Sequence, residues 1–211
     1  MNLLMDFQIL CIGDSHTAGF PEYDPSHGGN PESTYEFWLH NSLIVRFPAL
    51  RFSIENRGIC GLLAYQVYPV LKARLKRNRP DLVILWAGAN DLASMIDTRS
   101  IWNSLWEIFE LSKANQVPFC MVTIPPMAFK DLVSPIKRLN QKIIENADGN
   151  YLCADIYYPL ASNDRLDHKF TIGDGVHLSI QGYRLVGGII YNVIEQKVSM
   201  LVGDDDWAFS P

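Results

Sequence analysis

Short runs of apolar residues alternate along the chain with longer segments in which apolar residues recur three and four positions apart. The short runs are typical of strands buried on both faces of a sheet, and the longer spacing is typical of amphipathic helices. Strands are predicted at residues 8–12, 51–54, 82–86 and 117–124, with a weaker one at 151–156. Helices are predicted at residues 35–47, 62–77, 101–114, 135–145 and 180–200, with Pro69 as a candidate kink.

The regular alternation of strands and helices predicts an α/β fold. Right-handed crossovers then give a mainly parallel sheet with helices on both faces, and functional residues are expected after the carboxyl ends of strands. No internal repeat or linker divides the 211 residues, so residues 1–211 are predicted to form a single domain. Residues 203–211 form an acidic tail that could be loosely ordered or could dock its aromatic side chains.

The first predicted strand runs directly into Gly13-Asp14-Ser15, which makes Ser15 a candidate nucleophile. Open α/β sheets bind their ligands just beyond the carboxyl ends of their strands. The alternative is a simple turn in which Asp14 or Ser15 caps the next segment. The tripeptide alone is compatible with both interpretations, so the residues at the other strand ends matter.

Three further stretches fall where such a sheet would place a functional site. Residues 56–61 follow the second strand, residues 88–91 follow the third, and residues 174–177 precede the last helix. An acyl-transfer site needs a nucleophile, a base, an acid that orients the base, and hydrogen-bond donors for the oxyanion. With Ser15 as the candidate nucleophile, the three stretches supply candidates for the other groups.

His177 and Asp174 are the candidate base and orienting acid. His177 would take the Ser15 proton during attack and return it to the leaving group. Asp174 lies three residues earlier and could accept a hydrogen bond from the other imidazole nitrogen. The alternative for His177 is a cap or surface residue before a helix that Ser179 starts.

Gly58 and Asn90 are the candidate oxyanion donors. A glycine allows its backbone N–H to approach a ligand closely, and an asparagine amide is the side-chain version of the same donor. Gly58 could instead satisfy a turn, and Asn90 with Asp91 could cap the next helix. Their occurrence in order, at the ends of successive strands, favours the functional interpretation.

With these motifs the chain resembles the SGNH hydrolases, also called GDSL esterases and lipases. The resemblance extends from Gly13 to His177 and rests on Gly13-Asp14-Ser15, the Gly58 loop, Gly88-Ala89-Asn90-Asp91 and Asp174-Gly175-Val176-His177. It implies that Ser15 is the nucleophile, that Asp174 and His177 complete a catalytic triad, and that the N–H of Ser15, Gly58 and Asn90 form the oxyanion hole. It also implies a flavodoxin-like three-layer α/β/α sandwich around a five-stranded parallel sheet.

The fourth residue of the first motif is His16, where the family's name has leucine. A second imidazole near the site could affect the pH dependence of activity. Asp14 is interpreted as a structural residue that hydrogen-bonds its own loop. His27, His40 and His168 are interpreted as surface or loop residues. The Gly-x-Ser-x-Gly pentapeptide of the α/β-hydrolases does not occur around Ser15.

Composition and charge narrow the choice of partners and compartment. The net charge of -5 argues against a nucleic-acid partner, and no run approaches the length of a membrane span. The absence of a secretory leader predicts a cytoplasmic protein. The four cysteines lack disulfide or zinc spacing and are expected to be reduced. No metal or cofactor is expected, and the sequence specifies no oligomeric state.

The predicted function is therefore a serine esterase or acylhydrolase that acts on a small-molecule ester with a small or medium acyl group. Thioesterase, lysophospholipase and carbohydrate acetylesterase activities use the same chemistry. A non-catalytic small-molecule or carbohydrate binding module on the same fold is the main alternative, and a flavodoxin-like nucleotide binder lacks the expected glycine pattern. The loops at 20–33 and 125–133 could line the cleft. Four residues either line an acyl pocket or belong to the core: Phe20, Tyr23, Trp86 and Met127.

Overall fold

The computed structural model describes residues 4–147, 149 and 151–203. The strands are β1 (Met5–Gly13), β2 (Tyr23–Asp24), β3 (Gly28–Gly29), β4 (Leu50–Gly58), β5 (Leu82–Trp86), β6 (Phe119–Val122), β7 (Leu152–Ala154), β8 (Ala161–Ser162) and β9 (Arg165–Leu166). The α-helices are α1 (Ser15–Ala18), α2 (Tyr35–Arg46), α3 (Ala64–Leu75), α4 (Ala89–Ala93), α5 (Thr98–Ala114), α6 (Val133–Glu145), α7 (Tyr157–Leu160) and α8 (Ile180–Val202).

Five parallel strands form the central sheet, in the order β4-β1-β5-β6-β7. Strand β1 lies between β4 and β5, and its last residue, Gly13, pairs with Gly58 on one side and Trp86 on the other. Three strands therefore end at the same level. This alignment brings the loops that follow them to one edge of the sheet. Two antiparallel hairpins, β2-β3 and β8-β9, lie outside the sheet.

Helices cover both faces of the sheet, and alternate residues of β1 point to the two sides. Leu10 and Ile12 contribute to a core shared with α3, α5 and α6. Ile9 and Cys11 contribute to a second core shared with α2 and α8. The predicted three-layer α/β/α sandwich with a five-stranded parallel sheet is confirmed.

The strand boundaries differ from the prediction mainly at β4. The prediction ends this strand at residue 54, but it continues through Glu55, Asn56 and Arg57 to Gly58. Strand β4 is at the edge of the sheet, so polar side chains can point away from the core there while the backbone keeps its pairing with β1. The predicted strands at 117–124 and 151–156 are shorter in the structure.

The long helices occur where the periodicity predicts them, with shifts at their ends. Helix α5 begins at Thr98 rather than at residue 101, because the Asp97 carboxylate caps it by accepting from the N–H of Arg99 and Ser100. Helix α3 continues through Pro69. The short helices α1, α4 and α7 were not predicted, since four or five residues carry no readable period.

Helix α8 starts at the carboxyl edge of the sheet and is 23 residues long. Within the described residues it is the helix that has the length and mean hydropathy of a membrane span, with 33% of its most apolar window buried. Core helices of globular proteins share these properties, and α8 packs on the sheet through Tyr183, Ile190 and Ile194. Of the predicted tail at 203–211, only Gly203, which ends α8, lies within the described residues.

Candidate active site

Ser15 is the first residue of α1, so the chain turns from strand to helix within two residues of the end of β1. Asp14 caps this turn, since its Oδ1 accepts the His16 N–H at 3.0 Å. The Asp14 N–H donates to the Trp86 carbonyl at 3.2 Å, which ties the turn to β5. Ser15 is 6% exposed. The local structure fixes its hydroxyl at the carboxyl edge of the sheet.

The structure brings Ser15, His177 and Asp174 together in one hydrogen-bonded chain. The Ser15 Oγ lies 3.0 Å from His177 Nε2, although the two residues are 162 positions apart. His177 Nδ1 lies 2.6 Å from Asp174 Oδ2. These distances fit a serine hydroxyl that donates to an imidazole, whose other nitrogen donates to a carboxylate.

Asp174 is held as a carboxylate by the backbone of its own loop. Its Oδ1 accepts the N–H of Val176 at 2.9 Å and of His177 at 2.8 Å. Partial burial acts to raise the pKa of Asp174, but the Val176 amide and the imidazole and amide of His177 outweigh it, so the pKa lies below its ordinary value. The group opposite the imidazole is therefore anionic over the neutral pH range.

The loop of Asp174 is anchored on both sides. Thr171 Oγ1 accepts the N–H of Gly173 at 3.2 Å and of Gly175 at 3.1 Å. The Gly175 carbonyl accepts the Ala128 N–H at 2.8 Å, so the β6–α6 loop supports this segment. A Cβ on Gly175 would overlap the Ala128 side chain, and its φ of +72° favours glycine.

Gly58 does not have the position that the oxyanion prediction requires. Its N–H donates to Asn56 Oδ1 at 2.9 Å, so this donor is already used inside the protein. The Asn56 amide also donates to the Thr17 carbonyl at 2.7 Å. A Cβ on Gly58 would overlap the backbone of Ala18. Gly58 therefore lets α1 approach β4, and its assignment as an oxyanion donor is corrected.

Gly61 is the candidate donor that the sequence interpretation missed. It occupies a tight turn closed by the Leu62 N–H and the Ile59 carbonyl at 3.2 Å, and its φ of +78° is favourable for glycine. Gly61 is exposed, and no described residue accepts a hydrogen bond from its N–H. The sequence signal for Gly61 is that it is the second glycine of the segment 56–61.

Asn90 lies beside this turn. Its Nδ2 donates to the Leu62 carbonyl at 3.1 Å, which leaves its second amide hydrogen for another acceptor. The neighbouring Asp91 accepts the Ala64 N–H at 2.9 Å and so caps α3 rather than α4, the helix to which it belongs. Burial raises the pKa of Asp91. The loops after β4 and β5 are thus joined at the site.

The second imidazole, His16, is buried next to the triad. Its ring centroid lies 5.6 Å from that of His177 and 5.0 Å from that of Trp86. Its Nε2 lies 3.0 Å from the Val176 carbonyl, and its Nδ1 lies 3.2 Å from Asp14 Oδ1. As interpreted from the sequence, Asp14 hydrogen-bonds its own loop.

The residues proposed for an acyl pocket separate into two groups. Trp86 and Met127 are buried in the core. Phe20 is 40% exposed, and its ring lies 4.8 Å from the His177 ring. Tyr23 is partly buried in the short strand β2. Of the two candidate loops, the one at 20–33 contacts His177 through Phe20. The one at 125–133 contacts the loop between Asp174 and His177 through the hydrogen bond from Ala128 to Gly175.

His27, His40 and His168 lie outside this arrangement, and of the cysteines only Cys60 is part of it, in the turn that contains Gly61. His27 and His168 are exposed beside aspartates, and His40 is partly buried. All four cysteines are free. Within the described part of the chain, no group of three or more histidine, cysteine, aspartate or glutamate residues could hold a metal ion.

Solved structures with the same fold support this arrangement of elements. A member of the lipolytic protein G-D-S-L family from Veillonella parvula superposes with a TM-score of 0.75 at 18% identity, covering 90% of this chain and 99% of that one. The psychrotrophic esterase EstA from Pseudoalteromonas sp. gives 0.69 at 17% identity, covering 91% and 98%. A GDSL-like lipase from Bacteroides thetaiotaomicron gives 0.66 at 23% identity, covering 92% and 88%.

Sequence comparison gives the family. No curated protein matches the chain significantly. The sequence model of one family matches residues 11–185, a span that begins in β1 before Ser15 and ends in α8 after His177. The resemblance found in the motifs is therefore confirmed: the chain belongs to the GDSL-like lipase/acylhydrolase family.

Proposed function

We propose that this protein is a serine esterase that cleaves carboxylic esters through an acyl-enzyme intermediate. Family membership supports ester hydrolysis in general. The observation that carries the more specific proposal is the chain of hydrogen bonds from Ser15 through His177 to Asp174, at 3.0 and 2.6 Å. No metal or cofactor is required for this chemistry.

In the first half of the reaction, the Ser15 hydroxyl oxygen attacks the ester carbonyl while His177 Nε2 takes the hydroxyl proton. The carbonyl π electrons move to oxygen and form a tetrahedral oxyanion. When the intermediate collapses, the bond to the alcohol oxygen breaks and His177 returns the proton to that oxygen. Asp174 accepts the Nδ1–H throughout and stabilises the imidazolium while it exists.

In the second half, water replaces the alcohol. His177 Nε2 takes a proton from the water as its oxygen attacks the acyl carbon, which forms a second tetrahedral oxyanion. Collapse breaks the bond to Ser15 Oγ, and the serine oxygen recovers its proton from His177. The products are the free acid and the original enzyme.

Three donors are proposed for the oxyanion: the Ser15 N–H, the Gly61 N–H and the free hydrogen of the Asn90 amide. Neither backbone N–H has an acceptor among the described residues. Asn90 and the turn containing Gly61 are joined by the 3.1 Å hydrogen bond to the Leu62 carbonyl. Donors that lack a protein acceptor can bind developing charge without breaking an internal hydrogen bond.

The proposed acyl group is small or medium in size. Phe20 places an exposed aromatic ring against the His177 imidazole, so an apolar acyl or alcohol group would find a contact there. Trp86 and Met127, which could have lined a deeper pocket, are instead buried in the core. EstA of the same fold was solved with monoethylphosphonate as inhibitor, which supports an organophosphorus reagent as a probe for Ser15.

The test compares wild type with Ser15→Ala and Ser162→Ala on p-nitrophenyl esters from acetate to palmitate. Ser162 is an exposed serine of β8 and serves as the matched control. We expect wild type and Ser162→Ala to hydrolyse the shorter esters, and Ser15→Ala to lose activity and covalent labelling by a fluorophosphonate. Labelling that persists in Ser15→Ala would contradict the proposal. A folded wild type that neither hydrolyses nor labels would identify a binding module instead.

A further inference from the structure

His16 is enclosed between two hydrogen-bond acceptors. It is 1% exposed. Its Nδ1 faces Asp14 Oδ1 at 3.2 Å, and its Nε2 faces the Val176 carbonyl at 3.0 Å. A carbonyl oxygen can only accept, and so can an ionised carboxylate. A neutral imidazole has one N–H and would leave one of its nitrogens opposed to an oxygen lone pair.

With Asp14 as a carboxylate, both contacts are satisfied only when the His16 ring carries two protons. Asp14, 1% exposed, supplies the counter-charge that a buried imidazolium needs. The other ionisable groups on this side are Asp174, which acts favourably on an imidazolium, and His177, whose ring lies 5.6 Å away. The ring also lies beside Trp86, whose ring centroid is 5.0 Å away at an interplanar angle of 34° and which carries no charge.

The two hydrogen bonds join the two segments that carry the proposed triad. Asp14 precedes Ser15 in the turn after β1, and Val176 precedes His177 in the loop before α8. The hydrogen bonds that His16 makes with Asp14 and Val176 therefore join the same two segments as the contact between Ser15 and His177. A loss of either hydrogen bond would let the second segment move relative to the first.

We propose that His16 is a positioning residue, whose doubly protonated ring holds the Val176–His177 segment against the Ser15 turn. The inference rests on the proposed function, because the distance between Ser15 Oγ and His177 Nε2 matters only if His177 takes the Ser15 proton. His16 itself transfers no proton in the reaction.

This arrangement has a pH dependence with a defined sign. Burial acts to lower the pKa of His16, but the hydrogen bond and charge of Asp14 and the Val176 carbonyl outweigh it, so the pKa is raised. The two hydrogen bonds are therefore complete below the raised pKa of His16, and one is lost as the pH rises through it. Activity should fall on the alkaline side for this reason.

The kinetic test uses His16→Gln, with His27→Gln and His168→Gln as controls. Both controls remove an exposed histidine that lies beside an aspartate. We expect His16→Gln to lower kcat about 10- to 100-fold, the effect of a misplaced catalytic group, with little change in KM. The alkaline decline should disappear in His16→Gln and persist in both controls. An unchanged kcat and an unchanged alkaline decline would overturn the proposal.

A spectroscopic test on wild type is independent of turnover and of the folding of any variant. Nitrogen-15 NMR of the histidine rings during a pH titration should show that His16 keeps both ring protons to a higher pH than free histidine does. Hydrogen exchange of the Val176 and His177 amides should accelerate as His16 loses its second proton. A single neutral tautomer of His16 at pH 6.5, or amide exchange that does not change as His16 titrates, would overturn the inference. If wild type hydrolyses no ester, the proposed function fails while these two measurements still decide the state of His16.

Discussion

Single side chains at the carboxyl edge of the sheet join segments that are distant in the sequence. The Asn56 side chain accepts from Gly58 and donates to Thr17, so it fixes β4 to α1. The Asn90 amide does the same for the loops after β4 and β5 through Leu62. Hydrogen bonds of this kind are directional, so they set the position of the neighbouring loop more closely than apolar contact does.

Replacement of Asn90 tests whether its second hydrogen reaches the oxyanion. In Asn90→Ala one donor of the proposed oxyanion hole is lost, which costs about 2.7–4 kcal/mol of transition-state stabilisation and lowers kcat about a hundred- to a thousand-fold. The measurement is steady-state hydrolysis of a p-nitrophenyl ester, with the exposed Asn192→Ala as control. A decrease of less than threefold would remove Asn90 from the hole.

The choice between Gly58 and Gly61 shows where residue-level prediction stops. Both glycines lie in the short segment 56–61, after the strand predicted at 51–54, and a glycine at either position could let its backbone N–H approach a ligand. The difference is that Asn56 folds back onto the Gly58 N–H, a contact that depends on where α1 packs. Pairwise packing of this kind is tertiary and leaves no local pattern.

At the scale of elements, the loop from Thr171 to His177 is the most constrained irregular segment of the site. The Thr171 hydroxyl oxygen accepts hydrogen bonds from two amides of the loop itself, and the Ala128 N–H of the β6–α6 loop donates to a carbonyl of the loop. Ser179 caps α8 shortly after His177. Helix α8 therefore extends from the loop that bears His177. The position of the imidazole depends on how this loop is supported at both ends.

Two glycines of this loop make a matched pair. Gly175→Ala adds a methyl group that overlaps Ala128 at a φ of +72°, whereas Gly173→Ala adds one at a φ of +105° with no atom within 4 Å. Both changes strain the backbone by about 1 kcal/mol or more. We expect Gly175→Ala to lower kcat and the rate of fluorophosphonate labelling clearly more than Gly173→Ala does. Equal losses would mean that the Ala128 contact does not support the loop.

The five strands of the main sheet and the five long helices could be predicted because their signals are local. Short apolar runs indicate the strands, and apolar residues three and four positions apart indicate the helices. The prediction missed α1, α4 and α7, which are held by tertiary contacts such as that of Trp86 with Asp14. It ended β4 too early because an edge strand tolerates polar residues. Ser15 was identified in the motif after the first strand and Asp174 and His177 in the motif before the last helix, and the structure brings the three together.

At the scale of the whole molecule, the layer formed by α2 and α8 closes one face of the sheet. Gly187 is buried where α8 crosses α2, and a Cβ there would lie 2.7 Å from the Trp38 Cβ and 2.8 Å from the Tyr35 carbonyl. Gly188, the next residue, has no atom within 4 Å of its Cβ position. The two helices can approach this closely only where the side chain is missing.

These adjacent glycines give a direct test of the layer packing. Gly187→Ala should destabilise the protein by about 1–3 kcal/mol, because α8 must move away from α2. Gly188→Ala should stabilise it by up to about 1 kcal/mol, because alanine favours the helix and meets no neighbour. Urea denaturation of both variants measures the free energies of unfolding. A Gly187→Ala variant as stable as wild type would show that the α2–α8 contact can relax without loss.

The pairing of β1 with β4 and β5, which brings the ends of the three strands together, also affects how the molecule folds. Parallel pairing joins residues 5–13 to residues 50–58 and 82–86, and the proposed triad closes a loop of 162 residues between Ser15 and His177. Contacts so distant along the chain must overcome a large loop-closure entropy and form slowly. A chain still emerging from the ribosome therefore cannot form the hydrogen bond from Ser15 to His177 until the segment that carries His177 has been synthesised and released.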